Sequence, residues 1–236
     1  MTRFSVFAVC AAVLPVPAFA GAWDAPEGCE IFLTVQAKAC RVSNHYRCSG
    51  DDPGDQWRAD FDQEGLFFQS RINFDAVWVE SFEPGSGVTQ TVDAGAADPM
   101  NFSNLLATGR DDFDFGLSRT DGSRSTVTGF DRLTGETATI DGMALEVTEF
   151  GYTEVDQAGA VTNRAKGNEY INREMRLFFA GPGQTDLGDG MWREIDGSPI
   201  QFIFPGEPGF AAKQPLFDCD AIMSVVSPKG VMHVSY

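Results

Sequence analysis

The sequence predicts a mainly β protein: a single antiparallel β-barrel or β-sandwich-like domain, disulfide-bonded, with one or two short helices. Three observations carry this. Apolar and polar residues alternate with period two along most of the chain, turn-forming dipeptides separate the alternating runs, and an even number of cysteines follows an N-terminal export segment.

That segment is residues 1–20. Arg3 supplies the positive start, Phe4 to Val16 the apolar stretch, and Ala18-Phe19-Ala20 a small-x-small cleavage site before Gly21. Cleavage after Ala20 leaves one domain, residues 21–236, in the periplasm or secreted. Losing Arg3 takes the basic count from 17 to 16 against 34 acidic side chains, so the formal charge moves from −17 to −18. Such a surface repels nucleic acid and anionic lipid, both bound chiefly through Lys and Arg. Later apolar runs, such as Leu177 to Ala180 and Ala221 to Val226, are far shorter than the ~20 residues of a spanning helix.

Strands are expected in order at Ile31 to Lys38, Trp57 to Asp62, Phe68 to Ala76, Val88 to Val92, Phe113 to Leu117, Ser125 to Phe130, Ala144 to Tyr152, Glu169 to Phe179 and Ile200 to Phe204. The third is the most regular: Phe68, Ser70, Ile72, Phe74 and Ala76 face inward, and Gln69, Arg71, Asn73 and Asp75 face out. Turns are expected at Glu83 to Gly87, Asp121-Gly122, Asp141-Gly142, Gly181-Pro182-Gly183 and Asp196-Gly197. One helix interrupts the pattern, with Asp98 as cap, Pro99 in first position and Gly109 as terminator, so that Phe102, Leu105 and Leu106 share a face. A second is expected between Asp220 and Pro228. The dipeptide Phe-Asp recurs at 61, 74, 113, 130 and 217 with irregular spacing, read as inward Phe followed by outward Asp.

Cys10 leaves with the export segment, and Cys29, Cys40, Cys48 and Cys219 remain. Residues 40–48 are symmetric about Asn44, as in a hairpin folding there, which would set Cys40 opposite Cys48 and leave Cys29 to pair with Cys219. Cys29 with Cys40 and Cys48 with Cys219 is the competing pairing.

Catalytic signals are sparse. Apart from His45, at the expected hairpin tip, and His233, the chain has no histidine, and there is no Gly-x-Ser-x-Gly elbow. Solvated surface side chains are the simplest reading of both. No cofactor and no metal is expected. Asp51-Asp52-Pro53-Gly54-Asp55 and Asp186 to Gly190 place carboxylates on glycine-bearing loops, as a calcium site does, but without EF-hand spacing they read as acidic turns. A glycosidase-like carboxylate pair has no identifiable position. Arg71, Arg173 and Arg176 either meet an anionic headgroup or pair with neighbouring acids.

Seventeen Phe remain after Phe4, Phe7 and Phe19 are removed, with Trp23, Trp57, Trp78 and Trp192. A curled sheet lined by them suits a lipid or another apolar small molecule, with Phe68, Ile72, Phe74, Phe102, Leu105 and Leu106 as the ligand-binding candidates and the helix as lid. Non-catalytic binding of an apolar or amphipathic ligand in the cell envelope is therefore the first expectation. An adhesion or assembly module acting through exposed sheet edges is the second, and an enzyme the third. A carrier should hold an apolar cavity, whereas an assembly module should have a filled core.

Overall fold

The computed structural model describes residues 23–219. In chain order its elements are β1 (Cys29–Ala37), β2 (Arg41–Cys48), β3 (Gln56–Asp62), β4 (Gly65–Ile72), β5 (Trp78–Phe82), β6 (Thr89–Val92), α1 (Phe102–Thr108), β7 (Arg110–Arg119), β8 (Arg124–Ile140), β9 (Met143–Asp156), β10 (Val161–Asn172), β11 (Leu177–Asp186), β12 (Arg193–Asp196) and β13 (Pro199–Ile203). The thirteen strands form one antiparallel sheet, a meander from β1 to β12 with β13 added beside β1. β12 and β13 end the sheet and do not pair with each other, so it is not closed. Only Gly197 and Ser198 separate them in the chain, which holds the two ends within about 11 Å. Gly197 N–H donates to the Gly181 carbonyl of β11 (3.3 Å), and Lys38 N–H donates to the Ser198 carbonyl (3.0 Å).

Two apolar clusters pack on opposite faces of β10 and β11, since Ile171 and Phe178 belong to the first and their strand neighbours Tyr170, Leu177 and Phe179 to the second. Phe113, Phe115 and Leu117 of β7 meet Val127, Tyr152, Ile171 and Phe178, with Phe102 and Leu105 of α1 packed among them. Leu33 and Val35 of β1 meet Leu145, Leu177, Phe179 and Phe202. A third cluster lies on the convex side of β2 and β3, where Val42, Tyr46, Ala59 and Phe61 are covered by Trp23 and Ala212. β2 and β3 are therefore buried on both faces.

The expected strands at 113–117, 57–62 and 88–92 are present, and those at 125–130 and 144–152 extend well beyond the alternating residues. Other expectations are corrected. There is no hairpin at Asn44: β2 runs extended through it, and the chain reverses at residues 38–40, where Ala39 and Cys40 have φ of +56° and +53°. Lys-Ala-Cys contains none of the residues that favour positive φ, so the turn is invisible to turn chemistry. An extended β2 puts Cys40 and Cys48 roughly 26 Å apart, far beyond disulfide reach. The bonds are instead Cys29–Cys48, which face each other across β1 and β2 with Cα atoms 3.9 Å apart, and Cys40–Cys219, with Cα atoms 4.6 Å apart.

The expected strand Glu169 to Phe179 is two strands, because Asn172 closes a turn with Oδ1 accepting from Met175 N–H (2.9 Å) and its carbonyl accepting from Arg176 N–H (2.9 Å). Gly181-Pro182-Gly183 is not a turn but lies within β11. A Cβ on Gly181 would stand 2.4 Å from the Asn168 carbonyl and one on Gly183 2.7 Å from that of Lys166, so these glycines serve the close approach of β10 at its bulge. β4 ends at Ile72, two residues short of Phe74, which is 53% exposed. β13 likewise ends before Phe204, which is exposed.

α1 starts later than expected. Asn101, not Asp98, is its cap and accepts from Asn104 N–H (2.8 Å), while Gly109 at φ +83° closes it as anticipated. The Phe-Asp pattern holds at 113 but is reversed at 130, where Asp131 is the buried member. The expected cleavage site, the helix after Asp220 and His233 lie outside the described residues.

Candidate functional site

The densest gathering of chemistry-bearing side chains is on the concave face of β2 and β3. Antiparallel register sets Ser43 opposite Asp60 and His45 opposite Arg58. Arg58 Nε lies 3.1 Å from Asp60 Oδ2, and its guanidinium stands 5.5 Å from the centre of the Phe68 ring on β4. Arg41 reaches in from the start of β2 and donates to the Gly197 carbonyl (3.2 Å). A Cβ at Gly197 would stand 3.0 Å from that guanidinium, so the missing side chain is what admits it. A bulge in β1 between Ile31 and Leu33 turns Phe32 toward His45 (centroids 6.2 Å apart), and Phe179 meets the imidazole edge-on at 6.0 Å.

His45 is thus not a solvated tip residue. It is 3% exposed. Burial, reinforced by Arg58, Arg41 and Arg47, pushes its pKa down to about 3 against the opposing pull of Asp60. At neutral pH it is an uncharged imidazole of low basicity, far from the value near 7 that suits a general base. Burial drives the Asp60 carboxyl upward, but Arg58 and Arg41, with the Ser43 hydroxyl and His45, bring it below the ordinary carboxylate range. Two cavities flank the cluster, both touching His45, Arg58 and Phe178; their volumes are about 10 and 20 Å³. Each has room for about one water molecule.

The structure brings together only some of the expected ligand-binding residues. Phe102 and Leu105 are buried in the first cluster, Phe102 meeting Phe178 edge-on at 5.2 Å, with Leu106 and Ile72 partly buried against them. Phe68 is buried elsewhere, edge-on to Trp78 at 6.3 Å. Phe74 lies outside, under the guanidinium of Arg176 at 3.9 Å. The arginines pair with acids: Arg71 with Asp55 and Glu80, Arg173 with Glu146, and Arg176 with Asp75. The acidic loops are engaged internally. Asp51 accepts from Trp57 Nε1 (2.7 Å), Asp186 accepts from Arg164 and the Gly188 and Gly190 N–H groups, and Asp189 pairs with Arg193. Among the described residues no group of three or more His, Cys, Asp or Glu could hold a metal ion.

Three buried polar groupings gave no sequence signal. Asp111 and Asp131 face each other across β7 and β8, 3% and 2% exposed. Asp111 accepts from Asn101 N–H (2.7 Å) and Asn104 Nδ2 (2.8 Å), whereas burial and Asp111 push Asp131 up to about 8. Glu154 accepts from Arg119 (2.7 Å) and Ser125 (2.5 Å). Thr34, Gln36 and Asn44 are fully buried on the convex face beneath residues 211–216. Acids and amides in strands read as solvent-facing unless the cover is known.

No family model, curated protein or solved structure matches this chain.

Proposed function

We propose that this chain is a non-catalytic assembly or adhesion module of the cell envelope, exported by its N-terminal segment, that works through contacts on its outer surface. The observation that carries this reading is the filled interior: aromatic and aliphatic side chains pack against both faces of β10 and β11, and the cavities beside His45 are water-sized. A carrier of a lipid or comparable apolar molecule needs a pocket of several hundred Å³. Its low basicity makes His45 a poor base for catalysis, which supports the non-catalytic part. The sheet is read as barrel-like, because its end strands are consecutive in the chain and Phe179 of β11 packs on Phe202 of β13 at 5.0 Å. Large apolar side chains also stand outside this packing, with Met191 59% and Trp192 39% exposed between β11 and β12. Trp192 has Lys166 Nζ 4.5 Å from its ring centre.

Fluorescent fatty-acid titration tests the interior. The expected outcome is no saturable uptake, and one probe taken up per chain would overturn the reading. A photo-crosslinking residue at Trp192 should then give discrete adducts in the intact envelope, and one at Phe113 none.

A further inference from the structure

Beyond β13 the chain turns back at 204–209 and crosses the convex face of β1 and β2 as a strap. Every side-chain bond that β1 and β2 make to its central part goes to a main-chain atom. Ala211 N–H donates to Thr34 Oγ1 (2.9 Å), Asn44 Nδ2 donates to the Ala212 carbonyl (2.9 Å), Gln36 Nε2 donates to the Gln214 carbonyl (3.1 Å), and Leu216 N–H donates to Gln36 Oε1 (3.0 Å). Thr34 Oγ1 donates in turn to Asn44 Oδ1 (2.6 Å), so two of the three gripping side chains are linked. Cys40 N–H donates to the Phe217 carbonyl (3.1 Å) at the far end. Gripping residues and strap differ sharply in burial. Thr34, Gln36 and Asn44 are fully buried, whereas within 204–219 the one buried side chain is Pro215. Polar side chains are buried at low cost only when their partners are present, so this face is built around a strand of backbone rather than around apolar side chains.

We propose that the convex face of β1 and β2 is a backbone-binding groove, and that its partner in assembly is the 211–217 segment of a second copy of this chain, giving an arm-exchanged dimer. The inference rests on the outer-surface reading above. The groove's complement is this one segment, since the spacing of its main-chain groups and the seat of Pro215 match it in trans as they do in cis. Exchange of an identical element forms no new kind of contact and has little net cost. The connecting residues Phe204-Pro205-Gly206-Glu207-Pro208-Gly209 are all exposed, and extended they span roughly 20 Å, enough to pass to a neighbour. Cys219 arrives with the strap and Cys40 stands at the groove, so their bond locks whichever copy's strap is seated. In either arrangement the two thiols lose two protons and two electrons, and a disulfide oxidant such as oxidised glutathione takes them up to become two thiols.

The test is to unfold and reduce an equal mixture of ¹⁴N- and ¹⁵N-labelled chain, then refold it with oxidised glutathione over a range of protein concentrations. Species are separated by size with light scattering and digested without reduction. The expected result is a dimer whose share rises with concentration, whose Cys40–Cys219 peptides join the two labels, and whose Cys29–Cys48 peptides each carry one label. A dimer without mixed Cys40–Cys219 peptides, mixing of both disulfides alike, or monomer at every concentration overturns the exchange. None of these results touches the outer-surface reading, which fails on fatty-acid uptake instead.

Discussion

Two parts of the same sheet bury their strands differently. In β7 the pattern is one-sided: Phe113, Phe115 and Leu117 are buried while Asp112 and Asp114 are exposed, so the strand announces itself in sequence. In β2 all five residues from Val42 to Tyr46 are buried, because the core covers one face and Trp23 and the strap cover the other. A strand covered on both sides has no solvent face to set a period, and its polar side chains must then find partners inside the protein. Among the described residues, Trp23 and the 204–219 segment make the difference, since they lie over β1 to β3 and not over β7 and β8.

The largest test of this contrast is in β7. Phe113→Ala should cost about 3 to 5 kcal/mol in denaturant melts, because Gly129 lies against the ring and offers nothing to fill the void. Asp114→Ala should stay within about 0.5 kcal/mol, and comparable losses for the two would end the one-sided description of β7. In β2 the middle of the strand should be sensitive through its polar atoms. Asn44→Ala leaves the Ala212 carbonyl without its side-chain donor and should cost about 1 to 3 kcal/mol, with faster hydrogen exchange in the strap. Unchanged exchange there would mean that the Asn44 bond does not help to hold the strap.

The two parts should also respond to pH with opposite sign. Depression of His45 from 6.5 to about 3 means that below pH 6.5 the unfolded chain binds a proton the folded chain refuses, so this contribution is lost as pH falls from 6.5 toward 3. Asp131 is raised from 3.8 to about 8, so the folded chain keeps a proton the unfolded chain has released, and stability is lost as pH rises from 4 to 8. Each slope approaches about 1.4 kcal/mol per pH unit at most, and the two oppose each other between pH 4 and 6.5. Urea midpoints across pH should therefore fall from pH 4 to 8 in His45→Gln and rise from pH 4 to 6.5 in Asp131→Asn. Parallel profiles for the two variants would refute the opposition.

The smallest effect among the aromatic substitutions concerns Phe74. Being exposed beneath Arg176, it should lose only about 0.5 to 1 kcal/mol on Phe74→Ala, far less than Phe113 despite the same residue type. A loss as large as that of Phe113 would restore the longer β4 that the alternation through Ala76 suggested.

Local chemistry was legible wherever it acted alone. Alternation at 113–117, the glycine at 109 that ends α1 and the presence of two disulfides all follow from neighbouring residues and from counting. Asp131 shows where this stops. Val127 sets β8 with odd positions inward, a strand cannot flip one residue without a bulge, and so Asp131 is carried into the core while Phe130 is left to cover Gly151 outside. The His45 cluster was illegible for a related reason. Ser43 and Asp60, or His45 and Arg58, become neighbours only through the register of β2 and β3, and β2 itself is hidden because the turn that leads into it, Lys38-Ala39-Cys40, carries no turn signal. The sequence by itself determined an acidic, disulfide-bonded chain of antiparallel strands, because composition, period and cysteine parity are properties of single residues and near neighbours. Tertiary structure alone decided which cysteines pair, which strands are covered twice and that the interior is filled, because each depends on where distant segments such as Trp23 and residues 204–219 come to rest.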